Sequence, residues 1–153
     1  DLHLIICDDI RHEKSGQSSY IGVYGGEIAC EQFPQTFAKL CFCIDCDVAK
    51  DTTINSMEVE LSVPGQQTAS IPISEGHRVS GNASKANTKS KNRNHIEIVA
   101  NQIVISEPGT IHVRMRINKR YYKAGSVELV EMKNYQSPTR ASDEEITENS
   151  KGG

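Results

Sequence analysis

Pro108 to Met132 reads PGTIHVRMRINKRYYKAGSVELVEM. A Pro-Gly turn leads into Ile111, Val113, Met115 and Ile117, which alternate with His112, Arg114 and Arg116. A polar break at Asn118-Lys119-Arg120 separates this run from a second one through Val127, Leu129 and Val130. Alternation on either side of a short break is the pattern of a half-buried β-hairpin. It decides the fold class: this is the closing hairpin of an all-β domain with one wet face.

Upstream segments repeat the theme. Leu2 to Asp8 is apolar on both alternating faces, with Leu2, Leu4 and Ile6 on one and Ile5 and Cys7 on the other. Such a strand is central or covered on both sides. Lys14-Ser15-Gly16-Gln17 turns the chain, and Ser19 to Cys30 reads as the return strand, bulged or bent at Gly25-Gly26. Gln32 to Ala38, around Pro34, reads as a connection with room for one helical turn. In Lys39 to Val48, Leu40, Phe42, Ile44, Cys46 and Val48 point one way, and Cys41, Cys43, Asp45 and Asp47 the other. Ile54 to Val63 places Met57, Val59, Leu61 and Val63 inward, and Thr68 to Ile73 is a shorter strand after Pro64-Gly65. His95 to Ser106 is one bent strand or two around Asn101-Gln102. Seven to eight strands with no amphipathic helix predict an antiparallel two-sheet sandwich, with a barrel as the rival. The domain is expected to span 1–133, followed by a disordered acidic tail over 134–153.

Composition narrows the function classes. At 153 residues one domain with a real core is expected. No apolar run approaches the roughly 20 residues that a membrane-spanning helix needs. Three Phe, five Tyr and no Trp are few for a stacking platform, which argues against single-stranded nucleic acid. The five cysteines are odd in number and mostly sit in apolar runs, which predicts free thiols in a reducing, cytoplasmic compartment. Charge is uneven: the balance is −7 over 1–74, +7 over 75–123 and −3 over 124–153. Either acidic and basic segments neighbour each other in the fold, or one basic face meets an acidic partner.

Two places carry a resemblance. Ile6-Cys7-Asp8-Asp9-Ile10-Arg11, followed by Ser19-Tyr20-Ile21-Gly22-Val23-Tyr24-Gly25, resembles an uncharacterised bacterial family whose members open on a Cys-Asp strand and an "IGVYG" strand. Glu107-Pro108-Gly109-Thr110 is similar to the entry into the last hairpin of immunoglobulin-like sandwiches. Ile111 stands there where an aromatic is usual, and Arg114 keeps the basic position. The resemblance implies a bacterial, cytosolic, immunoglobulin-like sandwich and brings no activity.

The residues themselves offer few chemical constellations. Cys41-Phe42-Cys43-Ile44-Asp45-Cys46 tempts a metal or thiol-enzyme reading. On a strand, however, Cys41 and Cys43 share one face and Cys46 takes the other, so convergence would need Cys7, Cys30, His3 or His112 from neighbouring strands. Asp8-Asp9 with Asp45 and Asp47 could offer oxygen ligands, but no DxDxDG-like loop accompanies them. No GxSxG elbow or HExxH motif is present. Lys151-Gly152-Gly153 has the chemistry of a ubiquitin-like terminus without the central helix of that fold. The expectation is a non-catalytic protein-interaction module with no cofactor and no metal. Its candidate binding residues are Arg78, Lys85, Lys89, Lys91 and Arg93 in the polar stretch 75–94, with Arg114 and Arg116 on the adjacent strand. The partner would be another protein, with no membrane. Nucleic-acid or anionic-ligand binding through the same cations is the second class, and an enzyme using Cys41 and Cys43 the third.

Overall fold

Strands whose side chains alternate between apolar and polar must bury one face, and this chain does so with two sheets. The computed structural model describes residues 1–74 and 91–135. Its strands are β1 (Leu2–His12), β2 (Ser18–Val23), β3 (Glu27–Cys30), β4 (Gln35–Ala49), β5 (Met57–Ser62), β6 (Ala69–Pro72), β7 (Lys91–Ile105), β8 (Gly109–Ile117) and β9 (Arg120–Glu131). A 3-10 turn at Met132–Asn134 follows. Among the described residues there is no α-helix. The first sheet runs β2-β1-β4-β7 and the second β3-β9-β8-β5-β6.

Among the described residues there are nine strands rather than seven to eight, and one pairing departs from the expected antiparallel plan. Ser19 to Cys30 is not one return strand. β2 ends at Val23 and the chain crosses at Gly25-Gly26 into the other sheet, where β3 lies parallel to β9 with Ile28 opposite Leu129. All other pairings are antiparallel. The polar connection expected over 32–38 is shorter than predicted, because β4 already begins at Gln35, after a cis Phe33–Pro34 peptide. β7 is a single strand that begins at Lys91, with the left-handed Gln102 (φ 53°) at the expected break. Residues 75–90, and the tail beyond 135, lie outside the described residues.

One core joins the sheets. Ile6, Leu40, Phe42, Ile44, Cys46 and Ile96 from the first meet Val59, Leu61, Ile111, Val113, Met115, Val127 and Leu129 from the second. Phe42 is the one aromatic among the fully buried side chains, so branched aliphatics fill most of the space between the sheets. Each such side chain contributes about 1.5–3 kcal/mol on leaving water. The β8–β9 hairpin is set by Asn118 and Lys119, both at positive φ (47° and 69°), the conformation that matches strand twist in two-residue turns. Asn118 does a second job. Its Oδ1 accepts from the Asn55 and Ser56 amides (2.8 and 3.3 Å) and its Nδ2 donates to the Thr53 carbonyl (2.6 Å), pinning the lead-in to β5. Where the β8–β9 register slips between Val113 and Arg114, Ala124 is the extra residue of a bulge. The adjacent Gly125 admits Leu4 so closely that a Cβ there would stand 2.7 Å from the leucine's Cδ2.

Candidate functional site

β1 is apolar on both faces because it is buried on both. Ile6 enters the core, and Cys7 enters a second cluster on the outer face of the first sheet, with Cys41 and Cys43. Strand register builds this cluster. Cys7 stands directly opposite Cys41, Ile5 opposite Cys43, and on the far side Cys41 faces Val99 and Cys43 faces Glu97. Ile5, Ile10 and Tyr20 pack against the thiols, leaving them at most 2% exposed. Cys7 Sγ donates to the Asp9 carbonyl (3.4 Å) and Cys41 Sγ to the Asp8 carbonyl (3.8 Å). Burial pushes all three thiols above the ordinary cysteine range, Cys43 furthest. They are therefore protonated and poor nucleophiles as they stand.

Beside the thiols lies a chain of ionisable groups. His95 Nδ1 meets Asp45 Oδ1 at 2.7 Å and its Nε2 meets Glu97 Oε1 at 2.9 Å, with the Tyr20 hydroxyl at 3.4 Å. The other Glu97 oxygen meets His12 Nε2 at 3.0 Å, and His12 Nδ1 pairs with Ser18 Oγ at 3.2 Å. A neutral imidazole donates from one nitrogen only, so the doubly protonated ring is the form that satisfies both carboxylates on His95. Burial opposes that charge, but the hydrogen bonds to Asp45 and Glu97 outweigh it and raise the His95 pKa. Burial, with nearby acidic groups, pushes Tyr20 up to about 12. His12 comes from the end of β1, Tyr20 from β2, and His95 and Glu97 from β7, so the network fastens the β1–β2 hairpin to the far edge of the sheet. The sequence reading missed it. The signal available was His95 and Glu97, which alternation places on one face of a strand; nothing local tied His12 or Tyr20 to them.

A shallow cavity of about 230 Å³ opens near the start of β1, lined by Asp1, Leu2, His3, Asp45, Asp47 and Arg93. Ligand pockets for drug-sized molecules are typically about 300–1,000 Å³. Among the described residues, no three His, Cys, Asp or Glu side chains stand as metal ligands, and no helix is long and apolar enough to cross a membrane.

The candidate cations fall on two separate surfaces. Lys91 (with Asp1, 2.8 Å) and Arg93 (with Asp47, 3.0 Å) begin β7 in the first sheet. Arg114 (with Glu60, 2.9 Å) and Arg116 (with Glu58) lie on β8 in the second. Both arginines also approach the Tyr121 ring, at 5.4 and 5.9 Å from its centre. Arg78, Lys85 and Lys89 lie outside the described residues. All four described cations thus pair the basic stretch with the acidic first half of the chain, which is the neighbouring-segments reading of the charge pattern. The acidic residues are engaged likewise: Asp9 with Lys39 at 2.7 Å, and Asp8 with the Tyr24 hydroxyl. The Asp8 side chain also crosses Gly22, whose φ of 65° and missing Cβ both suit a glycine.

A family model described as a family of unknown function, DUF6941, matches residues 2–127, and the chain belongs to that family. No curated protein and no solved structure matches it.

Proposed function

We propose that this chain is a non-catalytic protein-interaction module on an immunoglobulin-like sandwich, working in the bacterial cytoplasm. The observation that carries the reading is the open outer face of the second sheet. Tyr121 is 55% exposed there, beside the exposed Arg114 and half-buried Arg116. Tyrosine and arginine supply most interface hot spots, because each buries large area at modest entropic cost while keeping a polar handle. The two-sheet architecture and the closing hairpin support the immunoglobulin-like assignment by analogy of fold. Five free, buried cysteines support a reducing compartment. Carboxylate pairing of Lys91, Arg93, Arg114 and Arg116 weighs against nucleic acid as the ligand, and thiol burial weighs against a cysteine enzyme.

Affinity capture from native lysate, with the wild type and with Tyr121→Ser/Arg114→Ser, tests the reading. The expected result is a partner retained by the wild type and lost by the variant at unchanged melting temperature. Equal recovery by both would remove this face as the binding surface.

A further inference from the structure

We propose that Cys7 and Cys41 are a reversible disulfide site built into the outer face of the first sheet. The argument is one of register. Residues directly opposite in an antiparallel ladder have Cα atoms about 4.5 or 5.5 Å apart, and both values fall within the roughly 4.4–6.8 Å that a disulfide spans. Cys7 and Cys41 are such a pair. Cys41 and Cys43 are two residues apart along an extended strand, about 6.8 Å, at the upper limit of that span. Cys7 and Cys43 are diagonal neighbours, about 7–8 Å apart. Cys30 and Cys46 sit in the main core, on the opposite side of the first sheet from this cluster. Register therefore singles out Cys7 and Cys41 by backbone spacing, while the Cys43 thiol, which also hydrogen-bonds with Cys7, is held by a diagonal backbone position.

The oxidant is a small disulfide. One thiol of the pair loses its proton and attacks a sulfur of that molecule, expelling one small thiol and leaving a mixed disulfide. The second cysteine thiolate attacks the protein-bound sulfur and expels the other small thiol. Two protein thiols have then lost two protons and two electrons, and one small disulfide has become two thiols. The cover over the pair is the β1–β2 hairpin, which carries Ile10 and Tyr20 and is fastened through His12 and Glu97. Reaction proceeds through openings of that hairpin, which makes it a slow, conformation-gated site rather than an exposed sensor.

The test is incubation of the folded protein with excess hydroxyethyl disulfide at pH 8, followed by alkylation, digestion and peptide mass mapping. The expected product joins Cys7 to Cys41, lowers the five titratable thiols by two and is reversed by dithiothreitol. The link persists in Cys43→Ser and in Cys30→Ser, and forms faster in His12→Gln, which loosens the hairpin while leaving every thiol in place. Retention of all five thiols by the folded wild type would overturn the proposal. So would a scatter of linkages matching that of the urea-unfolded chain.

Discussion

The outer faces of the two sheets are built on opposite plans. On the first sheet the outer face is a second interior: three buried thiols, a hairpin laid across them and a histidine–carboxylate chain fastening it. On the second sheet the outer face is open, with Glu58, Glu60, Arg114 and Arg116 paired across β5 and β8 beneath Tyr121. Both arise from alternating strands of similar composition. What separates them is the neighbour: β1 leaves β4 after Cys7 and carries on into a hairpin with β2, whereas among the described residues no hairpin is laid over β5 and β8. A wet face by sequence becomes a dry one when a long strand supplies its own lid.

The largest contrast between inward and outward positions lies inside the second sheet. Met115 is fully buried, while its neighbour Arg116 faces outward onto Glu58. Met115→Asp places an unpaired charge in the core at a cost of several kcal/mol, close to the lower end of a domain's total stability. It is expected to abolish cooperative unfolding by circular dichroism. Arg116→Asp is expected to leave a cooperative transition. Equal behaviour would mean that β8 is one residue out of register.

The next largest effect tests whether the first sheet's outer face is truly interior. Cys43→Asp buries a carboxylate opposite Glu97 and under Tyr20. It should cost about 3 kcal/mol or more in urea unfolding, whereas Arg114→Ser on the open face should cost less than about 1 kcal/mol. If both variants lose the same small amount, the hairpin is not a lid.

Protons give a smaller and directional test. The folded pKa of His95 is raised above 6.5. Its contribution is therefore complete below pH 6.5 and is lost as pH rises through the folded value. With charge-assisted hydrogen bonds worth about 1.5–3 kcal/mol, His95→Gln should lower stability by that order at pH 6 and by much less at pH 9. Glu58 on the other face has the opposite sign. Hydrogen bonds from Arg116 and Ser70 hold its pKa below 4.5, so its contribution is present above that pH and lost as pH falls. Denaturation midpoints between pH 3 and 9 for His95→Gln and Glu58→Gln check the two slopes. A flat difference curve for His95→Gln would show that the imidazole is not charged in the fold.

How much of this was legible follows the range of the interactions. Alternation placed Met57, Val59, Leu61, Ile111, Val113 and Met115 correctly, because a strand's two faces are a local property. It also showed Leu2 to Cys7 as apolar on both sides, and hence covered. The sheet change at Gly25-Gly26 was visible as a bend but not as a crossing, since partner choice is non-local. The thiol cluster was half legible: Cys41 and Cys43 shared a face, but only the β1–β4 register names Cys7 as the third member. The ion pairs were legible as a charge imbalance and not as pairs, because Glu58 and Arg116 stand 58 residues apart along the chain. His12 and Tyr20 were illegible, since they join His95 and Glu97 only when a hairpin folds across a sheet.

The smallest effect probes how the open face is held ready. Arg114 meets Glu60 at 2.9 Å and stands 5.4 Å from the centre of the Tyr121 ring, so one guanidinium serves two neighbours. Exposed cross-strand ion pairs contribute about 0.2–1 kcal/mol, and a surface cation–π contact about 0.5–1 kcal/mol. A double-mutant cycle with Arg114→Ala and Glu60→Ala should give a coupling below about 1 kcal/mol that shrinks further at about 1 M salt, where the screening length falls to about 3 Å. The companion cycle of Arg114→Ala with Tyr121→Ala should keep most of its coupling in the same salt, because ring contact is short-ranged and partly dispersive. If the Tyr121 coupling also collapses in salt, the ring is a bystander and the arginine is held by charge alone. Tyr121 would then be a free aromatic, available to a partner without releasing Arg114.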